Sequence, residues 1–209
     1  MSTYRKSKPA PLLHDNWKHI DKRSLDKYRA DDWKILSMQK RQYLAERQAD
    51  EILRMLKVQA TDPSYGYTVN IYQHCLQTAT RMLQDNLPEE DIVVGLLHDI
   101  GYMVCPNTHG EFAALLLRPY ISERNYWMLQ HHEVFQQIHF HEYDGLDPND
   151  REKFRGHPYF DWTEKFVADY DIVTINFDEE ILPIEVFEPM VKRFFSQPIQ
   201  SEHSLQGEI

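Results

Sequence analysis

The stretch PEEDIVVGLLHDIGYMV, Pro88 to Val104, decides how this chain is read. Pro88 with Glu89, Glu90 and Asp91 supplies the proline and the acidic residues that suit a helix start, and the apolar run IVVGLLHDIG continues from it as a helix. His98 and Asp99 interrupt that run side by side. An unpaired polar group in an apolar interior costs several kcal/mol, and a carboxylate there needs a cation. A metal ion can supply one.

On the N-terminal side, VNIYQHCLQTATRML keeps helical spacing at Val69, Tyr72, Leu76, Ala79 and Leu83, and Leu87-Pro88 ends it. The turn-rich TDPSYGYT (Thr61 to Thr68) separates it from an amphipathic helix running from Ala30 to about Lys57. Residues 1–30 carry charge and two prolines without an apolar period, so they read as a loosely packed arm. On the C-terminal side, Thr108 with Glu111 makes a capping-box pattern before GEFAALLLRPY, a short helix ending near Pro119. Ser122 opens SERNYWMLQHHEVFQQIHF as another helix. His141 to Phe160 reads as a long irregular connection with a helical turn near Arg151. Two further helices close the chain, WTEKFVADYDIVTI and IEVFEPMVKRFF, the second interrupted by Pro189. With no alternating strand pattern, the expected class is all-α: an arm (1–30), a single helical-bundle domain (31–196) and a tail (197–209).

Composition narrows the function classes. No run approaches the roughly 18 to 20 apolar residues of a membrane span, and the start is polar and basic, so a cytoplasmic protein with no membrane partner is expected. Thirty-three acidic against 23 basic residues leave a net charge of −10, which repels a phosphate backbone and makes nucleic acid an unfavourable partner. Two cysteines, Cys75 and Cys105, exclude a disulfide framework and a four-sulfur zinc site and read as packing residues. Histidine occurs 11 times, and eight of these fall between His74 and His157, inside the most apolar part of the chain.

Six of the polar residues lie where separate helices can aim them at one point: His74, His98, Asp99, His109, His132 and Asp171. His131 points about 100° away from His132 on a helix and is expected outside the cluster. Asp169, two positions from Asp171, is expected in solvent.

At His74 with Gln77-Thr78-Ala79, then LLHDIG, two separated histidines and a late aspartate, the sequence resembles the HD-domain superfamily of helical metalloproteins. Simple phosphohydrolases of that superfamily need one metal, held here by His74, His98, Asp99 and Asp171; His109 and His132 would then be surplus. Adding them implies a second ion with Asp99 bridging, at the roughly 3.5 to 4 Å spacing usual for paired metals. The C-terminal third is similar to myo-inositol oxygenase and to the diiron oxygenases that cleave hydroxylated phosphonates, through Tyr170-Asp171 and the F-x-P motif Phe187 to Pro189. The resemblance covers about residues 65 to 196.

It implies two iron ions, Fe(II) and Fe(III), with Mn(II) or another divalent metal as the alternative, and a small hydroxylated substrate plus O2 as partners. The alternative activity is a divalent-metal phosphohydrolase of nucleotides or phosphomonoesters. The departures concern the substrate. Tyr102 stands where the relatives place lysine or histidine, Gln136 where the phosphonate enzymes place lysine, and Ala168 where they place arginine. Tyr102 and Gln136 are the expected catalytic and substrate contacts, joined by Tyr67, His139 and Arg155 as substrate-binding residues. Tyr65 or Tyr67 stands near a lid position, and Arg118, His141 and His157 are further sources of charge, the histidines with His139 forming a possible cavity rim.

Overall fold

Every long apolar period read from the sequence forms a helix. The computed structural model describes residues 8–178 and 180–196, and among them there is no strand: the fold is all-α. Tail residues 197–209 and the first seven residues of the arm lie outside the described residues. The helices are α1 (Ala30–Lys57), α2 (Ile71–Gln84), α3 (Glu89–Leu97), α4 (His109–Leu117), α5 (Glu123–Gln136), α6 (His141–Asp144), α7 (Phe160–Phe166) and α8 (Ile184–Ser196). None of the described helices is long and apolar enough to cross a membrane.

The chain divides into two compact units between Gln48 and Ala49, within α1, and the sequence boundary at 30 marks the start of that helix. In the first unit the arm is tied to α1, where a loose extension was expected. Gln39 accepts from the Lys18 backbone N–H (2.8 Å) and donates to its carbonyl (3.2 Å), the Trp17 indole donates to Gln42 (3.0 Å), and Lys22 pairs with Asp32. Asp32, Gln39, Gln42 and Glu46 share one face of α1, so the contact is polar. A search for apolar periods cannot detect it.

The second unit carries the core. Asn70 caps α2 through a full capping box with Gln73, and Asn86, at φ 57°, turns the chain into α3. α2 packs on α3, α4 on α5, α5 on α7 and α3 on α8, around fully buried Met82, Leu97, Phe135, Phe166 and Phe187. Burying each such side chain contributes about 1.5–3 kcal/mol. A buried polar knot joins three of these helices. Asn125 donates to Glu90 and Asp91 (both 2.7 Å), accepts from Trp162 (2.9 Å), and Arg124 pairs with Asp91.

Three local expectations change. α3 ends at Leu97, so His98 and Asp99 stand in the turns that follow, where the helix no longer dictates their direction. Thr108 precedes α4 but makes no side-chain cap, its ψ of 25° being far from the extended conformation a cap requires. α8 runs unbroken through Pro189, which sits just past the first turn. The connection 141–160 holds α6 and the 3₁₀ turn Asp150–Phe154, the latter at the expected place.

Candidate metal centre

Four separate segments deliver the four histidines. His74 lies in the first turn of α2, His98 just beyond α3, His109 opens α4, and His132 lies in the last turns of α5. Each ring is oriented through Nδ1. His98, His109 and His132 donate to carbonyls three residues back, on Gly95, Pro106 and Leu129, at 2.8 Å each; His74 donates to the Thr174 carbonyl at 2.9 Å. A carbonyl only accepts, so Nδ1 carries the hydrogen in every ring and Nε2 is left as the free donor atom.

The Nε2 atoms converge in pairs, His74 to His98 at 3.1 Å and His109 to His132 at 3.2 Å. Two bare lone pairs at that distance repel unless a proton or a metal ion lies between or beside them. Asp99 touches both pairs: Oδ2 lies 3.5 Å from His74 Nε2, while Oδ1 lies 3.5 Å from His98, 3.0 Å from His109 and 3.5 Å from His132. Buried Oδ1 receives no hydrogen bond. Asp171 ends the π-helical turn Val167–Asp171 that extends α7, with Oδ1 3.4 Å from His74 and 3.6 Å from His98. All six side chains are buried, His98 and His132 completely.

This donor set fits a metal. Two groups, His74 with His98 and Asp99, and Asp99 with His109 and His132, each bring their donor atoms within 4.8 Å of one another. The orphaned oxygen of Asp99 and the facing lone pairs are the two features a cation would satisfy. Among the protein's own groups, burial disfavours the charged imidazoles, but the hydrogen bond to Asp171 and the Asp99 and Asp171 charges push His74 up to about 9. His109 is likewise pushed up to about 9, against burial, by Asp99 and Glu133. Asp99 and Asp171 are held well below the ordinary carboxylate range because the imidazoles outweigh the cost of their burial.

Gly110 makes the second pair possible. A Cβ there would fall 2.5 Å from the Leu129 carbonyl oxygen and 3.0 Å from His132 Cε1, so only glycine lets α4 approach α5 this closely.

A cavity of about 710 Å³ opens on the cluster and is lined by His74, Asp99, His109 and Asp171. Tyr67, Tyr102, Gln136 and His139 also line it. Gln136 lines the cavity as expected of a substrate contact, and its Nε2 also donates to Asp171 Oδ2, so it fixes a carboxylate of the cluster. Arg155 does not line the cavity. Its guanidinium pairs with exposed Glu152 and lies 4.4 Å over the Phe160 ring. Arg118 is over the Tyr126 ring, and His157 and His131 stack on Trp127 at 4.3 and 4.0 Å, so only His139 of the proposed histidine rim reaches the cavity. Asp169 is exposed and paired with Lys165, and Cys75 is packed in the core.

Two residues that sequence reading passed over belong to the site. Thr174 orients His74 through its carbonyl, and its Oγ1 bonds Thr78 Oγ1 at 3.0 Å. Glu133 lines the cavity and places Oε1 3.3 Å from His109 Nδ1. The signal for Glu133 is its place directly after a metal-type histidine, on a helix with little other acidic charge; Thr174 leaves none, since its backbone does the work. Compared with known proteins, the chain matches no family model and no curated protein sequence.

Proposed function

We propose that the six-residue cluster would hold two iron ions, with Asp99 shared by the two seats, and that the protein is an oxygenase using O2 to oxidise or cleave a small hydroxylated organic substrate. One observation carries this reading: two imidazole pairs, every Nδ1 engaged by a backbone carbonyl, share a single buried carboxylate. Nitrogen and oxygen donors without thiolate suit iron, manganese or zinc. The order of the ligands in the chain, similar to that of the mixed-valence diiron oxygenases, favours iron among them. Bound here, an Fe(II)/Fe(III) pair supplies a Lewis acid for a substrate hydroxyl and one-electron chemistry toward dioxygen.

The chain's own residues prepare the cavity for that chemistry. Gln136 holds Asp171 Oδ2, which keeps Oδ1 facing His74 and His98. Burial and the neighbouring Tyr67 and Asp99 push the Tyr102 phenol above its ordinary value, so at neutral pH it keeps its proton and offers an O–H donor to the substrate. Phe140, Ile172 and Ile175 line the cavity with apolar surface and limit water around the reacting groups. Among the described residues no lysine or arginine lines it, so these walls lack the charge-assisted donors that a phosphate ester would use.

The test is metal analysis of protein isolated without added metal, followed by electron paramagnetic resonance after partial oxidation. Two irons per chain and a coupled mixed-valence signal are expected. No such signal at any redox poise, with phosphate released from a nucleotide or phosphomonoester panel, would establish the hydrolase instead.

A further inference from the structure

Two stretches of chain beside the metal ligands build a wall of the cavity that is mostly carbon. Residues 67–71 lead into α2 and residues 172–177 follow Asp171. Thr68 ties the two together: its Oγ1 donates to the Ile175 carbonyl at 3.0 Å and accepts from the Phe177 N–H at 3.2 Å. That clasp consumes backbone groups and one hydroxyl, so Tyr67, Val69, Ile71, Ile172 and Ile175 are left to line the cavity, joined by Phe140 just past the 3₁₀ turn Gln137–His139. Ile71 and Ile172 are half-buried, whereas Ile175 is 45% and Tyr67 58% exposed. Apolar groups left open together at the mouth of a cavity mark a ligand-binding groove.

The polar groups beside them are already engaged. Asn70 accepts from the Gln73 N–H at 3.0 Å, and its Nδ2 donates to the carbonyls of Gln59, Ala60 and Asp62 at 3.3, 3.1 and 3.1 Å. Gln136 Nε2 is spent on Asp171. Glu133 Oε1 accepts from the Gly110 N–H at 3.2 Å and lies 3.3 Å from His109 Nδ1. A molecule hydroxylated along its whole length would bury hydroxyls against this wall without partners, which costs free energy, whereas a hydrocarbon gains about fourfold in affinity for each methylene it buries. The volume of about 710 Å³ lies within the range of small-molecule sites, roughly 300–1,000 Å³.

We propose that this cavity selects a hydroxylated molecule whose remainder is an uncharged hydrocarbon of several carbons, its hydroxyl end toward the metal cluster and Tyr102 and its carbon chain along Tyr67, Ile71, Ile172, Ile175 and Phe140. The proposal rests on the cavity being the substrate site, and it is independent of iron and of dioxygen.

The test is calorimetric titration of the zinc-loaded protein, in which the metal has no redox chemistry to consume the probe, with propane-1,2-diol, hexane-1,2-diol and the hexitol sorbitol. The three extra methylenes of hexanediol are expected to tighten binding over propanediol by about 60-fold, and sorbitol, with six carbons but a hydroxyl on each, should bind no better than propanediol. Ile175→Ser and Phe140→Ser should each keep the wild-type zinc content and reduce the hexanediol preference several-fold. A preference below tenfold, tighter binding of sorbitol than of hexanediol, no binding of either diol, or a full preference in both variants would overturn the proposal. A protein that prefers hexanediol yet never holds iron would sink the oxygenase and leave the hydrocarbon wall standing; two irons without the preference would do the reverse.

Discussion

His74 and His98 have two carboxylates within 3.6 Å of their Nε2 atoms, whereas His109 and His132 have only the Asp99 that both pairs share. The pairs also differ in how they are assembled. The second pair is local: both rings are oriented by carbonyls three residues back, on two helices that pack directly together. The first depends on the C-terminal part of the chain, since His74 takes its orientation from Thr174, 100 residues away, and Asp171 arrives from the π-helical turn. The carboxylate-rich pair is therefore the tighter seat for a cation. The carboxylate-poor pair leaves more coordination positions to water or substrate, as a reactive metal requires.

The largest effect should come from removing the shared residue. Asp99→Ala is expected to lose both metals, while His109→Ala or His132→Ala should retain about one per chain in the His74–His98 seat. Metal stoichiometry on the purified variants checks this, and equal loss in all three would mean that the two pairs are not separate seats.

Acid should separate the pairs from their metals more gradually. In metal-free protein one imidazole of each pair, His74 and His109, is pushed up to about 9, and a metal must displace those protons. Metal affinity should then rise with pH until about 9, by up to about tenfold per pH unit for each proton released. Stability of the chelated protein should run the other way. A raised folded value contributes stability that is complete below the unfolded histidine value of about 6.5 and is lost as pH climbs through 9. The depressed Asp99 and Asp171 contribute above about 3.9 and lose it as pH falls through their folded values. Thermal unfolding with chelator should peak between about pH 4 and 6.5. A peak on the alkaline side would contradict the proton placement.

Gly110→Ala tests the second pair alone. Forcing a methyl against the Leu129 carbonyl should cost about 1–3 kcal/mol and push His109 away from His132, so that about one metal per chain remains. Denaturant unfolding and metal analysis read the two consequences separately. If both metals stay, the α4–α5 approach is more forgiving than the 2.5 Å contact indicates.

Much of this centre was legible because its chemistry is expensive. Six ionisable side chains in the most apolar part of the chain demanded a common explanation, and all six converge, five in the two metal-type groups and Asp171 against His74 and His98. The helices were legible for the complementary reason, that their apolar faces repeat at helical spacing. The docking of the arm escaped because Gln39 and Trp17 use hydrogen bonds that leave no period. The end of α3 at Leu97 escaped because IVVGLLHDIG contains no breaking residue before Gly101 except Gly95, which the helix tolerates inside it.

Gln136 and Arg155 close the comparison, since both were expected to touch substrate and the fold gives them opposite fates. Gln136 reaches the carboxylate-rich pair by bonding Asp171, so Gln136→Leu should weaken metal there by about 10- to 100-fold, as loss of a partner behind a ligand commonly does. Competition with a chelator measures that loss. Arg155→Ala should do almost nothing. Its guanidinium is exposed, pairs with Glu152 three residues away and covers the Phe160 ring, and exposed pairs of that kind contribute about 0–1 kcal/mol. Unchanged metal content and a small shift in unfolding are expected. A loss of metal affinity of tenfold or more would mean that the 150–156 segment swings over the cavity in solution and that Arg155 enters the site after all.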